Sequence, residues 1–66
     1  MKIAINGKEK EYDSPLSLHD LVSQISQTPQ RVIAEVNGAV IKSPSWNETA
    51  LKEGDTIELV TFVGGG

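Results

Sequence analysis

The chain contains no cysteine, and its 66 residues include only one tryptophan, one tyrosine and one phenylalanine. Without cysteine, neither disulfides nor thiolate metal ligands can stabilise the fold. A domain of this length buries roughly 60% of the surface that its unfolded chain exposes. A buried active-site pocket would therefore occupy much of its small core. Packing and backbone pairing must therefore stabilise the fold.

Basic residues are also few, with six Lys and Arg against nine Asp and Glu, which gives a formal net charge of −3. Nucleic-acid binding requires clustered basic residues, and here they are scattered along the chain, so we expect no nucleic-acid partner. The chain has neither a long apolar run nor a basic, apolar leader at its N-terminus. We therefore expect no membrane insertion, and we predict a cytoplasmic protein.

Turn signals divide the first part of the chain into short strands. Residues 2–5 alternate polar and apolar side chains, which predicts a half-buried strand. Asn6 and Gly7 follow, a strong hairpin signal because both central residues of such a turn adopt positive φ. Residues 8–12 are charged and suit an exposed edge strand. The segment therefore predicts a β-hairpin.

The pattern then changes to that of one amphipathic helix. Ser17, with Asp20 three residues later, fits a capping box at the helix start. Thr28 precedes Pro29 and should end the helix, because the residue before proline is disfavoured in helical geometry. One apolar stripe follows the helical spacing: Leu18, Leu21, Val22 and Ile25.

Three further strands are predicted after the helix, at residues 31–36, 39–41 and 56–63. Asn37 and Gly38 separate the first two, and an irregular segment over residues 42–53 leads to the last. This order predicts a two-layer α+β domain, a mixed sheet of four to five strands packed on one main helix. The last strand, the longest and most apolar, should lie centrally beside the first.

The sequence ends on Gly64, Gly65 and Gly66. Glycine packs poorly in strands, and average usage is about 7%, so a chance triple at a given site is rare, on the order of a few in ten thousand. A frayed end would explain such a run, since chain termini are often disordered. The alternative is that these glycines form a thin flexible arm and that the C-terminal carboxylate is the functional group.

Several stretches together resemble one known family, the ubiquitin-like sulfur carriers, and most closely its thiamine-biosynthesis branch. They are the helix opening at 17–22, the turn at 36–38, the crossing-segment residues Trp46, Leu51, Gly54 and Asp55, and the final strand and tail at 58–66. The resemblance implies a β-grasp domain over residues 1–63 and a flexible glycine tail over residues 64–66.

Two local features bear on the branch within that family. Carriers of molybdopterin synthesis tend to have prolines just before the final glycines, and residues 60–63 contain none. Lys42 and Ser43 stand where the family often has a Pro-Arg pair, which puts in doubt any partner contact made by that arginine.

The resemblance also implies a mechanism in which the chain is a co-substrate and not an enzyme. An E1-like adenylating enzyme would activate Gly66 with ATP, and sulfur from a cysteine desulfurase would convert it to a thiocarboxylate. Thiazole synthase would then accept that sulfur. ATP is consumed on the partner, so we expect no bound cofactor and no metal on this chain. Glycine suits these steps because it has no side chain to hinder acyl transfer.

Partner docking is predicted on the last strand. Alternation should direct Ile57 and Leu59 toward the helix, with Ile3 and Ile5, and the intervening residues toward the opposite face. Exposed apolar residues beside the tail would form a protein-binding patch, although Ile33 could equally pack under the crossing segment. The predicted partner-binding residues are Gly65, Gly64, Val63, Phe62, Val60, Glu58 and Ile33.

Two other classes of function remain open. A ubiquitin-like modifier, attached to target lysines through Gly66, would share the activation step. A β-grasp interaction module with an incidental tail would function without Gly65 and Gly66. His19 lacks the partners of a catalytic triad, and Trp46 is predicted to cover the core with its indole N–H bonded to backbone.

Overall fold

The structure is a computed structural model that describes residues 1–13 and 15–62. Over these residues it contains one α-helix, α1 (Leu18–Ile25), and a five-stranded sheet. The strands are β1 (Lys2–Ile5), β2 (Lys8–Glu11), β3 (Val32–Val36), β4 (Ala39–Ile41) and β5 (Thr56–Thr61). Two 3-10 helices, Pro29–Arg31 and Ser43–Glu48, lie in the connections.

The strand order across the sheet is β2-β1-β5-β3-β4. β1 and β5 are parallel, whereas the other neighbouring strands are antiparallel. The sheet is therefore mixed, and the last strand lies centrally beside the first, as the sequence predicts. A parallel pair needs a long crossover connection, and here residues 6–55 provide it.

Both Asn-Gly turns have the predicted backbone conformation. Asn6 and Gly7 have φ of 50° and 83°, and Asn37 and Gly38 have φ of 52° and 87°. Positive φ at two successive residues matches the right-handed twist of the flanking strands, and asparagine and glycine tolerate it best. The two turns set the register of the β1–β2 and β3–β4 hairpins.

The core lies between α1 and one face of the sheet. Leu18, Leu21 and Val22 of α1 are fully buried, and the central strands contribute Ile57 to the same cluster. The other buried members are Ile3, Ile5, Ala34, Trp46 and Leu51, with Leu59 packed against them. The assignment of Ile57 and Leu59 to the helix side of the sheet is confirmed.

The helix begins as predicted and ends earlier. Ser17 Oγ accepts a hydrogen bond of 3.0 Å from the Asp20 backbone N–H, which caps the first turn. α1 ends at Ile25, because Ser26 adopts an extended conformation before Thr28 and Pro29 are reached. Ile25 is therefore 48% exposed at the helix end, and only the other three residues of the predicted apolar stripe are buried.

The strand ends also differ by one or two residues from the predictions. Tyr12 follows β2 but lies outside it, and Arg31 belongs to a 3-10 helix that precedes β3. β5 ends at Thr61, so Phe62 lies beyond its regular pairing. Residue 63, the predicted end of this strand and of the domain, lies outside the described residues.

The crossing segment covers one end of the core through Trp46. Its ring is buried, and its indole N–H donates a 2.8 Å hydrogen bond to the Ile41 carbonyl, which confirms the predicted role. Ser17 and Ala50 form an isolated bridge that joins this segment to the helix start. Among the described residues, no helix is long and apolar enough to cross a membrane.

Candidate docking face beside the last strand

The sheet has one face against α1 and one face that no described element of the chain covers, which we call the open face. Strands β3, β4 and β5 place five residues on it: Ile33, Glu35, Val40, Glu58 and Val60. Their sequence neighbours on β3 and β5, Ala34, Ile57 and Leu59, lie on the core side. This arrangement follows from the period of two along a strand. The open face is therefore built from the same strands that supply the core.

Three apolar side chains of the open face form a continuous patch near the end of β5. Ile33 and Val60 are direct cross-strand partners, and Phe62 continues the chain two residues beyond Val60. Their exposed fractions are 46%, 58% and 60%, which is high for such large side chains. We call these three residues the docking patch, because exposed contiguous apolar surface of this kind marks interaction sites.

Phe62 remains attached to the sheet although β5 has ended. Its backbone N–H donates a 2.6 Å hydrogen bond to the Arg31 carbonyl, extending the β3–β5 ladder by one further contact. Gln30, Arg31, Val32, Ile33 and Phe62 line a shallow depression of about 220 Å³ at this point. The ring thus lies beside Ile33 at the last described position of the chain.

For Ile33, the structure distinguishes between the two alternatives that the sequence left open. Its side chain lies on the open face and is nearly half exposed, so it is not packed under the crossing segment. Glu58 is exposed on the same face, two residues before Val60 along β5. The structure thus brings together the four described members of the predicted partner-binding set.

Two residues of this region were not anticipated from the sequence. Val40, on the edge strand β4, is 60% exposed and lies opposite Glu35, so apolar surface also occurs on the far side of β3. Glu35 is itself the direct cross-strand partner of Glu58. Neither contact could be derived without knowing the register of three separate strands.

Asn6 supports β5 beyond the end of β1. Its side-chain amide donates to the Leu59 carbonyl at 3.2 Å, and its side-chain oxygen accepts from the Leu59 N–H at 2.8 Å. β1 pairs with β5 only as far as Ile5 and Ile57, so this side chain replaces the next rung of the ladder. The exposed end of β5 is therefore bonded on both sides.

A second depression, of about 330 Å³, lies where β4 leaves the sheet, and the ends of β3 and β4 line it together with Pro29, Gln30 and residues 42–44. Lys42 and Ser43 are exposed there, next to the docking patch through Ile33. Both positions therefore adjoin the docking patch, whatever side chains occupy them.

The remaining predicted site residues, Val63, Gly64, Gly65 and Gly66, lie outside the described residues. Their roles stay predictions. The described part of the site is thus the docking patch together with Glu58, at the end of β5.

Comparison with solved structures and curated proteins defines the class of the domain. The crystal structure of a thiamine biosynthesis protein (ThiS) from Geobacter metallireducens superposes with a TM-score of 0.86 at 32% identity, covering all of both chains. The Bacillus subtilis protein named sulfur carrier protein ThiS is 32% identical over 97% of this chain and 98% of its own length.

Longer proteins also contain a matching segment. A protein named thiazole synthase from Paramagnetospirillum magneticum is 30% identical over the whole chain, and one from Magnetococcus marinus is 35% identical. The chain spans only 20% of the length of each of these two relatives.

The domain has a β-grasp fold. This follows from the order of the strands, from the single α-helix among the described residues and from the structural match. The family model described as the ThiS family matches residues 3–66. The chain belongs to the ThiS family of small sulfur carriers, which confirms the resemblance seen in the sequence.

Proposed function

We propose that this chain carries sulfur as a thiocarboxylate on its C-terminal glycine, Gly66, and donates it for thiazole formation in thiamine biosynthesis. The observation that carries the proposal is the match to the ThiS family, which runs from residue 3 through the glycine tail to residue 66. The exposed docking patch beside the last described residue supports it, because a carrier must present its tail to other proteins.

The first step that we propose is activation of the Gly66 carboxylate by an E1-like adenylating enzyme. A carboxylate is a poor electrophile because its negative charge repels nucleophiles. Its oxygen attacks the α-phosphorus of ATP, pyrophosphate leaves, and the product is an acyl-adenylate. ATP is bound and consumed on the partner, and this chain contributes the carboxylate and the docking surface.

Sulfur transfer follows on the same acyl carbon. A persulfide sulfur, supplied by a cysteine desulfurase or a related donor, attacks the anhydride and AMP leaves. A second thiol then cleaves the sulfur–sulfur bond, which leaves a thiocarboxylate on Gly66 and a disulfide on the donor side. The absence of a Cβ at Gly65 and Gly66 permits passage through a narrow channel and attack at the carbonyl.

Thiazole synthase is the acceptor that we propose. The matching segments in the Paramagnetospirillum and Magnetococcus relatives belong to proteins bearing that name, which favours a functional link between a ThiS-type domain and thiazole formation. The docking patch, formed by Ile33, Val60 and Phe62, would serve this enzyme and the adenylating enzyme in turn.

The test is the intact mass of the protein after incubation with ATP, a sulfur donor and an E1-like adenylating enzyme. We expect a gain equal to the replacement of one oxygen by sulfur, absent in a chain lacking Gly65 and Gly66. That deletion should leave the thermal unfolding midpoint nearly unchanged. An unchanged mass, while a control carrier is converted in parallel, would contradict the proposal; persistent attachment to other proteins would instead indicate a modifier.

A further inference from the structure

The register of the central strands places two glutamates directly opposite each other on the open face. Glu35 of β3 is the cross-strand partner of Glu58 of β5, and the next pair on the same face, two residues further along β5, is Ile33 and Val60. Side chains in such pairs have Cβ atoms about 4.5–5.5 Å apart, and like charges at that spacing destabilise a sheet. The pair therefore opposes folding at neutral pH.

The described part of the chain offers neither glutamate an ion pair. Its ion pairs involve Glu11 and Asp20, and neither Glu35 nor Glu58 takes part in one. Val40 lies beside Glu35 on β4, and the Asn6 amide is bonded to the backbone of Leu59. Lys42 lies beside Ile33, just after the end of β4, and it forms no ion pair with either glutamate. Both carboxylates are thus available to a basic group of another protein.

We propose that Glu35 and Glu58 together bind one basic side chain, an arginine, of the adenylating enzyme that docks on the open face. This inference rests on the proposed function and names a charged contact within the same docking site. A guanidinium has five donors in a planar fork, enough to bond two carboxylates at once, and ionised partners make the strongest hydrogen bonds. Charge complementarity of this kind fixes orientation and raises the association rate.

The position of Glu58 along β5 determines how the proposed contact with an arginine would orient the domain on the enzyme. Toward the end of β5 the order on the open face is Glu58, then Val60, then Phe62, with one residue between successive members. A partner with a basic side chain followed by an apolar surface can match this row in one direction only. The match therefore fixes the direction in which β5 runs across the enzyme surface.

A second copy of this chain is a poorer occupant of the same face. The net charge is −3, and pairing two open faces would bring further carboxylates toward Glu35 and Glu58. Like-charge contacts across an interface cost binding and suppress the wrong partner. The negative charges of Glu35 and Glu58 therefore favour a basic partner over self-association.

A docking role and a merely structural role predict opposite effects on stability. Glu58→Gln or Glu35→Gln removes one charge at nearly constant shape, so the unfolding midpoint should stay equal or rise by a few degrees. The same substitutions should lower kcat/KM for conversion by the adenylating enzyme about tenfold, because a charge-assisted contact is lost. Glu58→Lys should stabilise the fold further and impair conversion more, since it creates a Glu–Lys pair.

The experiment compares these variants with wild type and with Glu48→Gln, by thermal unfolding and by the rate of conversion at low and high salt. Glu48 is exposed on the 3-10 helix Ser43–Glu48, so this control makes the same charge change away from the open face. We expect only the Glu35 and Glu58 variants to lose rate, with a weaker dependence on salt than wild type.

Rates equal to those of Glu48→Gln would overturn the inference while leaving the carrier function intact. A fall in unfolding midpoint that accounts for the lost rate would overturn it as well, because the pair would then be structural. If wild-type protein is not converted while a control carrier is, the proposed function and this inference fail together.

Discussion

Ile57 and Ile33 lie on neighbouring strands of one sheet and have the same side chain, yet they differ in what covers them. Ile57 is fully buried beneath α1, whereas Ile33 is 46% exposed on the open face. The same contrast separates Leu59 from Val60, which are adjacent on β5. Hydrophobic side chains thus stabilise the domain on one face and remain available for a partner on the other.

The contrast matters because a 66-residue chain has little apolar surface to spare. Domains of this size are marginally stable, with about 0.05–0.15 kcal/mol per residue. Burial of further apolar side chains would stabilise the fold, yet three large ones remain exposed: Ile33, Val60 and Phe62. We interpret this exposure as the consequence of keeping a docking patch beside the tail.

The largest effect should come from the matched pair Ile57→Ala and Ile33→Ala. The first leaves a cavity in the core and should lower the free energy of unfolding by about 2–5 kcal/mol. The second removes a half-exposed side chain and should cost less than about 1 kcal/mol. Urea unfolding of both variants measures the difference. Equal losses would mean that the open face also stabilises the fold through packing.

The next effect concerns binding. Phe62→Ala should weaken binding to the adenylating enzyme by about 1–3 kcal/mol if the ring anchors the interface, with stability changed by less than about 0.5 kcal/mol. Val40→Ala is the control, because Val40 is equally exposed but lies on the far edge strand. Titration calorimetry gives both affinities. A larger loss for Val40→Ala would move the docking site toward β4.

Asn6→Gly tests how the exposed end of β5 is supported. Glycine keeps the positive φ of the turn but removes the two hydrogen bonds to Leu59, so we expect a loss of about 1–2 kcal/mol. Amide hydrogen exchange should accelerate at Leu59 more than at Val60, which pairs toward β3. Unchanged exchange at Leu59 would show that the Asn6 side chain is dispensable for the order of this strand.

The smallest effect should come from the helix cap. Ser17→Ala removes the acceptor of the Asp20 N–H and should cost about 1 kcal/mol. Ser23→Ala, at an exposed position inside α1, should be neutral or slightly stabilising because alanine is the better helix former. Thermal unfolding compares the two, and equal midpoints would mean that the cap contributes nothing measurable.

Local signals made much of the fold predictable from the sequence. Asn6 with Gly7 and Asn37 with Gly38 specify turns through their own backbone preferences, and Ser17 specifies the helix start through one local hydrogen bond. Their effects do not depend on the rest of the chain. Once the turns were placed, alternation along β5 sufficed to separate Ile57 from its exposed neighbours.

Long-range contacts explain what the sequence did not reveal. Ile25 continues the helical stripe, but the helix ends there, so the side chain is left at the margin of the core. The sequence identifies Asn6 as a turn residue, whereas the hydrogen bonds from its side chain to Leu59 depend on a strand 53 residues away. The Glu35–Glu58 pair likewise requires the β3–β5 register, which no local pattern specifies.

The most direct measurement is the methyl NMR spectrum of the full chain during titration with the adenylating enzyme. Ile33 and Val60 report on the open face, whereas Ile3 and Ile57 report on the core. If the enzyme docks on the open face, the signals of Ile33 and Val60 will shift or broaden first, while those of Ile3 and Ile57 will change little. Changes centred on the helix side, with Ile33 and Val60 unaffected, would contradict docking through the open face.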